Sequence, residues 1–260
     1  MKILIINPNS DVAMTGAIQA SAEAFIRGRA GDRSQASAGG SAPESAASSG
    51  GSAPDGATGT GTVDDLQVRT VSTPGAPPFI ETHAHEVRCG PGMLEIVEEH
   101  EPAFDAFVVA CHSDVHLDAL RELTAKPVIG IGEASMKLAS FLGRTFSVVT
   151  THRHSVPGKL EQIRRYHLQD RVASVRAPEA GEEGLGEVEL FLELARRARD
   201  EDGAEVIVLG CAGLAGMDRT IQEALDVPVL DGVVCALILA SGFARHGLGT
   251  SKVLYYDPEY

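Results

Sequence analysis

The sequence predicts an α/β fold of two similar lobes, each a mostly parallel sheet flanked by helices, related by a pseudo-twofold axis with a ligand cleft between them. Three observations carry this reading. Short β-rich runs alternate with longer helical patterns, as in a sheet covered by helices. Several of the runs are unbroken Val, Ile and Leu, which suits strands buried on both faces. The chain also repeats itself: Phe107-Val108-Val109-Ala110-Cys111 stands one hundred residues before Ile207-Val208-Leu209-Gly210-Cys211.

Taken in order, the expected strands are Ile3 to Ile6, Leu66 to Val71, Ala106 to Ala110, Pro127 to Ile129, Thr145 to Val149, Val172 to Val175, Glu205 to Leu209 and Pro228 to Leu230. A helix is expected around Val188, Phe191, Leu192 and Ala195, which share one apolar face. Its charges suit the helix dipole, with Glu187 and Glu189 at the start and Arg196, Arg197 and Arg199 at the end. The repeat continues beyond each cysteine through a short helix, a Pro-led strand (Lys126-Pro127-Val128 and Val227-Pro228-Val229) and a second helix, Ala134 to Leu142 or Cys235 to Phe243. Each half opens with a strand that runs into a polar turn, Asn7-Pro8-Asn9-Ser10 or Thr150-Thr151-His152. Residues 28–62 hold nine Gly, eight Ala and seven Ser and none of Val, Ile, Leu, Met, Phe, Tyr or Trp, so they are expected to form a flexible surface insertion with no part in the chemistry. The first lobe is then 1–27 with 63–143, the second is 144–246, and 247–260 is a tail returning to the first lobe.

Composition narrows the function. The chain has 260 residues, 43% hydrophobic and 22% charged, enough for a sizeable core. Its formal charge of −14 disfavours nucleic acid and anionic membranes as partners. No segment has the length of a membrane span, and the N-terminal apolar run is too short for a secretory signal. Four cysteines without C-x-x-C spacing read as free thiols. The expected setting is the cytoplasm and the expected partner a small-molecule substrate.

Cys111 and Cys211 end matched strands, and ligands in open α/β sheets bind beyond the carboxyl ends of the strands. A cysteine just before a helix start is expected to have a lowered pKa. One such thiol on each face of a substrate suits removal of a proton from one side of a carbon and its return to the other. The carbon must lie alpha to a carbonyl whose developing charge is held by N–H donors. Such a reaction needs no metal or organic cofactor. Cys235 reads as core, and Cys89 receives no role. The pairs His83/His85, His152/His154 and His112/His116 lack a recognised metal spacing, and no metal site is assigned. His112 either tunes the neighbouring thiolate, bonds a substrate carbonyl or faces solvent in a turn. Asp114 is expected to cap the helix after it, and Lys252 to be a surface charge.

INPNS followed by Met14-Thr15, GAPPFIE, VVACHSD, KPVIGIGEASM, FSVVTT, VIVLGCAG, VPVLDGV and LGTSK together resemble the aspartate/glutamate/hydantoin racemase superfamily, and within it the hydantoin and allantoin racemase branch. The resemblance spans nearly the whole chain outside the Gly/Ala/Ser segment. It implies cofactor-independent racemisation with Cys111 and Cys211 as the acid/base pair, and a homo-oligomer. By motif position, Asn9, His112, Ser113, Thr150, Thr151, Ala212 and Gly213 are the expected substrate binders. One departure bears on the substrate: His112-Ser113-Asp114 stands where the hydantoin branch has Phe-Gly-Asp and the amino-acid branches have Asn-Thr after the cysteine. Aspartate or glutamate racemisation and maleate-type cis–trans isomerisation remain alternatives on the same scaffold. A decarboxylase needs only one cysteine, and a non-catalytic small-ligand-binding domain needs neither.

Overall fold

Buried parallel strands dominate the structure, a computed structural model that describes residues 1–36, 66–179 and 186–257. Among the described residues, β1 (Lys2–Asn7), β2 (Gln67–Ser72), β3 (Ala106–Val109) and β4 (Val128–Gly130) form one sheet in the order β2-β1-β3-β4. β5 (Phe146–Val149), β6 (Val172–Arg176), β7 (Val206–Leu209) and β8 (Val229–Leu230) form a second in the matching order β6-β5-β7-β8. Every strand pairing is parallel. The two-lobed α/β architecture read from the sequence is therefore the architecture of the chain, with no strand end displaced from its expected bound by more than one residue.

The helices are α1 (Val12–Ala36), α2 (His83–His100), α3 (Leu117–Leu123), α4 (Ile131–Leu142), α5 (Ser155–Arg165), α6 (Glu187–Asp200), α7 (Asp218–Leu225) and α8 (Gly232–Arg245). α1 corrects one expectation. It runs on to Ala36, so the expected insertion starts inside a helix; its Arg, Gln and Ala residues are good helix formers, and elongating an existing helix costs far less than starting one. The rest of that segment, 37–62, lies outside the described residues. No helix among the described residues is long and apolar enough to cross a membrane.

Both faces of each sheet are covered, as expected of parallel strands. Ile3, Ile5 and Val108 pack with Ile18 and Ala22 of α1, while Leu4, Ile6, Phe107 and Val109 pack with Met93, Ile96 and Val97 of α2 and Leu120 of α3. At about 1.5–3 kcal/mol for each fully buried large aliphatic side chain, these layers supply the main stabilisation. In the second sheet Val149, Ile207 and Leu209 meet Phe191 and Leu194 of α6 and Ile221 and Leu225 of α7. The fourth layer is crossed. Met136 and Ala139 of α4 pack on Phe146, Val148, Val206 and Val208 of the second sheet, whereas Val233, Ala236, Leu237 and Ala240 of α8 pack against the first. Each lobe thus lends the helix after its last strand to the other. Cys235 lies in that α8 core.

The C-terminal segment lies along α3. Thr250 donates its N–H to the Ala125 carbonyl at 2.8 Å, and the Tyr256 hydroxyl donates to Asp118 Oδ1 at 2.8 Å. Lys252 is not the surface charge expected of it. Its ammonium donates to the carbonyls of Arg121 (2.6 Å) and Glu122 (2.8 Å), which a helix leaves without internal partners at its C-terminus.

Candidate active site

Because strand order reverses beside β1 and beside β5, the crevices of the two sheets open beyond the ends of β1 and β3, and of β5 and β7. The residues that follow those four strands converge on one cavity of about 370 Å³. Asn7, Pro8 and Asn9 come from the end of β1, and Ala110, Cys111, His112 and Ser113 follow β3. Thr150 and Thr151 follow β5, and Gly210, Cys211, Ala212 and Gly213 follow β7. All nine residues singled out in the sequence, Cys111, Cys211, Asn9, His112, Ser113, Thr150, Thr151, Ala212 and Gly213, line it. Met14, Phe79 and Ile80 add an apolar wall, and Glu81, His152, Ser155, Lys159 and Glu187 add polar ones.

The backbone holds each sulfur from two residues ahead. The Gly213 N–H points at Cys211 Sγ at 3.4 Å, and the Ser113 N–H acts on the Cys111 thiol in the same way. Gly210 is required where it stands, since a Cβ there would lie 2.7 Å from Val148 Cγ1 and 2.9 Å from the Val149 carbonyl oxygen. Both thiols are half-buried, while Cys89 and Cys235 are fully inside. Cys111 does not have the lowered pKa expected from its sequence position. Burial pushes the thiol up to about 12, against a smaller opposing pull from the Lys159 ammonium. The expectation relied on a helix starting straight after the cysteine, and that helix, α3, starts only at Leu117.

The intervening turn explains two further corrections. Asp114 has a left-handed backbone (φ 53°), as has His116 (φ 56°), and its carboxylate does not cap α3. It caps α4 instead, accepting the N–H groups of Gly132 (3.0 Å) and Glu133 (2.7 Å), with the Tyr166 hydroxyl at 2.6 Å and the Gln162 amide at 2.9 Å as further donors. Burial raises its pKa to about 6 in spite of those donors. Gln162 of α5 also donates to the His112 carbonyl at 2.7 Å, so the second half of the chain latches the turn that carries Cys111.

His112 is no solvent-facing turn residue, being only 2% exposed. The Ser135 hydroxyl spends its proton on the Ile131 carbonyl (2.7 Å), so at 3.2 Å it accepts from His112 Nε2–H. That fixes the tautomer, leaving Nδ1 to accept from Lys159 Nζ at 3.0 Å. Burial and the neighbouring ammonium hold the imidazole well below the ordinary histidine pKa, hence neutral. With both ring nitrogens engaged, His112 has no free hydrogen-bonding group for a substrate. Asn9 differs: its Oδ1 accepts from Asn7 (2.7 Å) and the Asp11 N–H (3.0 Å), while its amide NH₂ meets only the weakly accepting sulfur of Met14 at 3.1 Å.

Lys159, Gln162 and Tyr166 are the residues sequence reasoning missed. The available signal was on α5, where Lys159 and Gln162 fall on the same buried face as Ile163. Elsewhere the histidine pairs find ordinary partners. The His152 and His154 rings stack at 5.3 Å, His83 contacts Glu86 at 3.1 Å, and His116 contacts the Glu86 carbonyl at 2.5 Å. Among the described residues no group of three or more His, Cys, Asp or Glu side chains is placed to hold a metal ion.

Two parallel-sheet lobes that each send a strand-end cysteine into one shared cavity define a two-lobed α/β enzyme with a thiol from either half at its centre. The sequence profile of the Asp/Glu/Hydantoin racemase family matches residues 3–240. The hydantoin racemase of Pseudomonas sp. (strain NS671) is 35% identical, over 98% of this chain and 91% of its own length. That of Paenarthrobacter aurescens is 32% identical over 99% and 97%. The structure of allantoin racemase from Klebsiella pneumoniae superposes with a TM-score of 0.80 at 29% identity, covering 100% of this chain and 94% of that one. The chain belongs to the Asp/Glu/hydantoin racemase family, and it is an isomerase of the racemase class.

Proposed function

We propose that the protein is a cofactor-independent racemase of 5-monosubstituted hydantoins or allantoin, working by two-cysteine proton transfer. The observation that carries the reading is the meeting of Cys111 and Cys211, one from each half, in a single cavity. One sulfur, as thiolate, takes the hydrogen from C5. The electron pair passes into the adjacent carbonyl as an enolate, and the opposite thiol returns a proton to the other face. For the mirror-image substrate the sulfurs exchange roles. Enolate oxygen and ring polar atoms need donors, a part suited to Asn9, Ser113, Thr150, Thr151 and the backbone of Ala212 and Gly213. Met14, Phe79 and Ile80 provide an apolar side for the C5 substituent, and the relatives named as hydantoin and allantoin racemases point to the same ring.

The test is to incubate each enantiomer of 5-benzylhydantoin, allantoin, aspartate and glutamate in D₂O, with maleate alongside. Optical rotation, the C–H signal and alkene geometry are followed against enzyme-free controls. A hydantoin or allantoin that loses rotation while gaining deuterium is the expected result. Exchange confined to the amino acids, or conversion of maleate alone, overturns the substrate assignment.

A further inference from the structure

Lys159 is a buried lining residue that the two-cysteine chemistry leaves unused. It is a lysine only 4% exposed, reaching the cavity from α5 of the second half to a histidine next to the cysteine of the first. A buried lysine is costly unless its charge has work or a partner. Its bonded partners are both neutral: His112 Nδ1 at 3.0 Å and Gln162 Oε1 at 3.5 Å. The hydrogen-bond chain from Lys159 through His112 and Ser135 ends on the Ile131 carbonyl, so every donor in it points one way and the lysine is its source. Among the described residues no carboxylate is hydrogen-bonded to the ammonium.

We propose that Lys159 is the counter-charge of the cysteine pair: a positioning residue, held by His112, whose fixed ammonium lowers the cost of the anionic, single-thiolate form of the cavity. The inference rests on the racemase reading for its purpose but not for its test. The titratable groups facing Lys159 are Cys111, Cys211, Asp114 and Glu86, whose anionic forms favour the protonated amine, with neutral His112 beside it. Glu81, His152 and Glu187 also line the cavity. Burial works against the ammonium and draws its pKa below the ordinary lysine value, and the facing negative charges offset that. It accounts too for the polar residue that follows Cys111. A phenyl ring at position 112 cannot accept from an ammonium, whereas the neutral imidazole does so while spreading no second charge.

The experiment measures thiol ionisation directly. Iodoacetamide alkylation of Cys111 is followed by peptide mass against pH in the full-length protein and in Lys159→Met, which keeps the length and bulk of the stem. Removing an opposite charge at this range is expected to move the Cys111 profile upward by about one to two pH units. At pH 8 that slows its alkylation roughly ten- to a hundredfold. Cys89 and Cys235, both buried, report the fold by staying unmodified. An unchanged Cys111 profile in the folded variant overturns the proposal.

If Lys159→Met does not fold, the coupling is read from its other end, because it is reciprocal. The side-chain ¹⁵N signal of Lys159 should titrate at lower pH in Cys111→Ser than in the parent chain. An unchanged titration there overturns the proposal equally. Failure of the parent protein to racemise any hydantoin sinks the proposed reaction and leaves the alkylation result to judge Lys159 by itself.

Discussion

Replacing Cys111 by serine is the sharpest perturbation of the proposed chemistry, because it removes one base and leaves the cavity almost unchanged in shape. With burial pushing the Cys111 thiol up to about 12 even with the Lys159 ammonium beside it, the thiolate is scarce at pH 8, a deficit already inside the normal barrier. A hydroxyl is a far weaker acid and adds to it. Loss of a positioned acid/base group costs about 10²–10⁴ in rate, or roughly 3–5 kcal/mol, and inversion should fall at least that far for both enantiomers. Deuterium exchange should fall unequally. Cys211 remains able to take the proton from the enantiomer that presents it and to return a deuteron to the same face, so one enantiomer exchanges without inverting. The assay is proton NMR in D₂O beside chiral chromatography, with circular dichroism to verify the fold. Inversion of either enantiomer at more than about a tenth of the parent rate in a folded Cys111→Ser protein refutes the two-base scheme.

Four other outcomes follow from the surroundings. Asp114→Ala should destabilise by about 3 kcal/mol, the sum of a lost α4 cap and of Tyr166 and Gln162 donors left without an acceptor, seen as a lower urea midpoint. The folded Asp114 pKa of about 6 lies above the ordinary carboxylate value of 3.8, so the folded state holds this proton more tightly and its contribution is present below about pH 4 and lost as pH rises through 6. The stability advantage of the parent over Asp114→Asn should therefore shrink from pH 4 to pH 7, and an advantage that grows contradicts the buried-carboxylate reading. Gln162→Leu releases the His112 carbonyl and should lower kcat about tenfold with little change in KM. Phe79→Ala should raise KM for 5-benzylhydantoin about fivefold and leave 5-methylhydantoin nearly unaffected, the modest size reflecting a ring that is 48% exposed.

The fold was legible because parallel strands buried on both faces write themselves as unbroken Val/Ile runs, and because the repeat shows twice where a strand ends in Cys. That placement also yielded the lining residues, which follow the strands directly in sequence. What local pattern could not supply were contacts between halves. An Asp three residues before a helical stretch looks like its cap, yet the left-handed turns at Asp114 and His116 aim that carboxylate at Gly132 of α4, eighteen residues further on. Lys159 and Gln162 sit on an amphipathic helix whose buried face reads as ordinary until the opposite lobe is in place. The end of α1 is not legible from apolar content, because a helix can continue through Arg, Gln and Ala on propensity.

The crossing of α4 and α8 bears on catalysis as much as on stability. A two-base reaction requires its sulfurs to be held in fixed opposition, since small displacements of reacting groups are costly in rate. Were each lobe a closed unit, a hinge between them would let the cavity breathe and the thiols drift apart. Here α4 begins beside the Cys111 turn, where Asp114 caps it, and buries Met136 and Ala139 in the second sheet; α8, capped by Asp231 after β8, buries Val233, Ala236 and Leu237 in the first. The Ser21 hydroxyl donates to Asp231 at 2.8 Å, tying α1 to the start of α8, and Gln162 ties α5 to the turn of the opposite half. Opening the cleft by rotation of the lobes would have to expose both crossed helices at once. Substrate entry is therefore expected at the rim formed by Phe79, Ile80 and Glu81, which join β2 to α2 without regular structure, while the two sulfurs stay at the rigid strand ends.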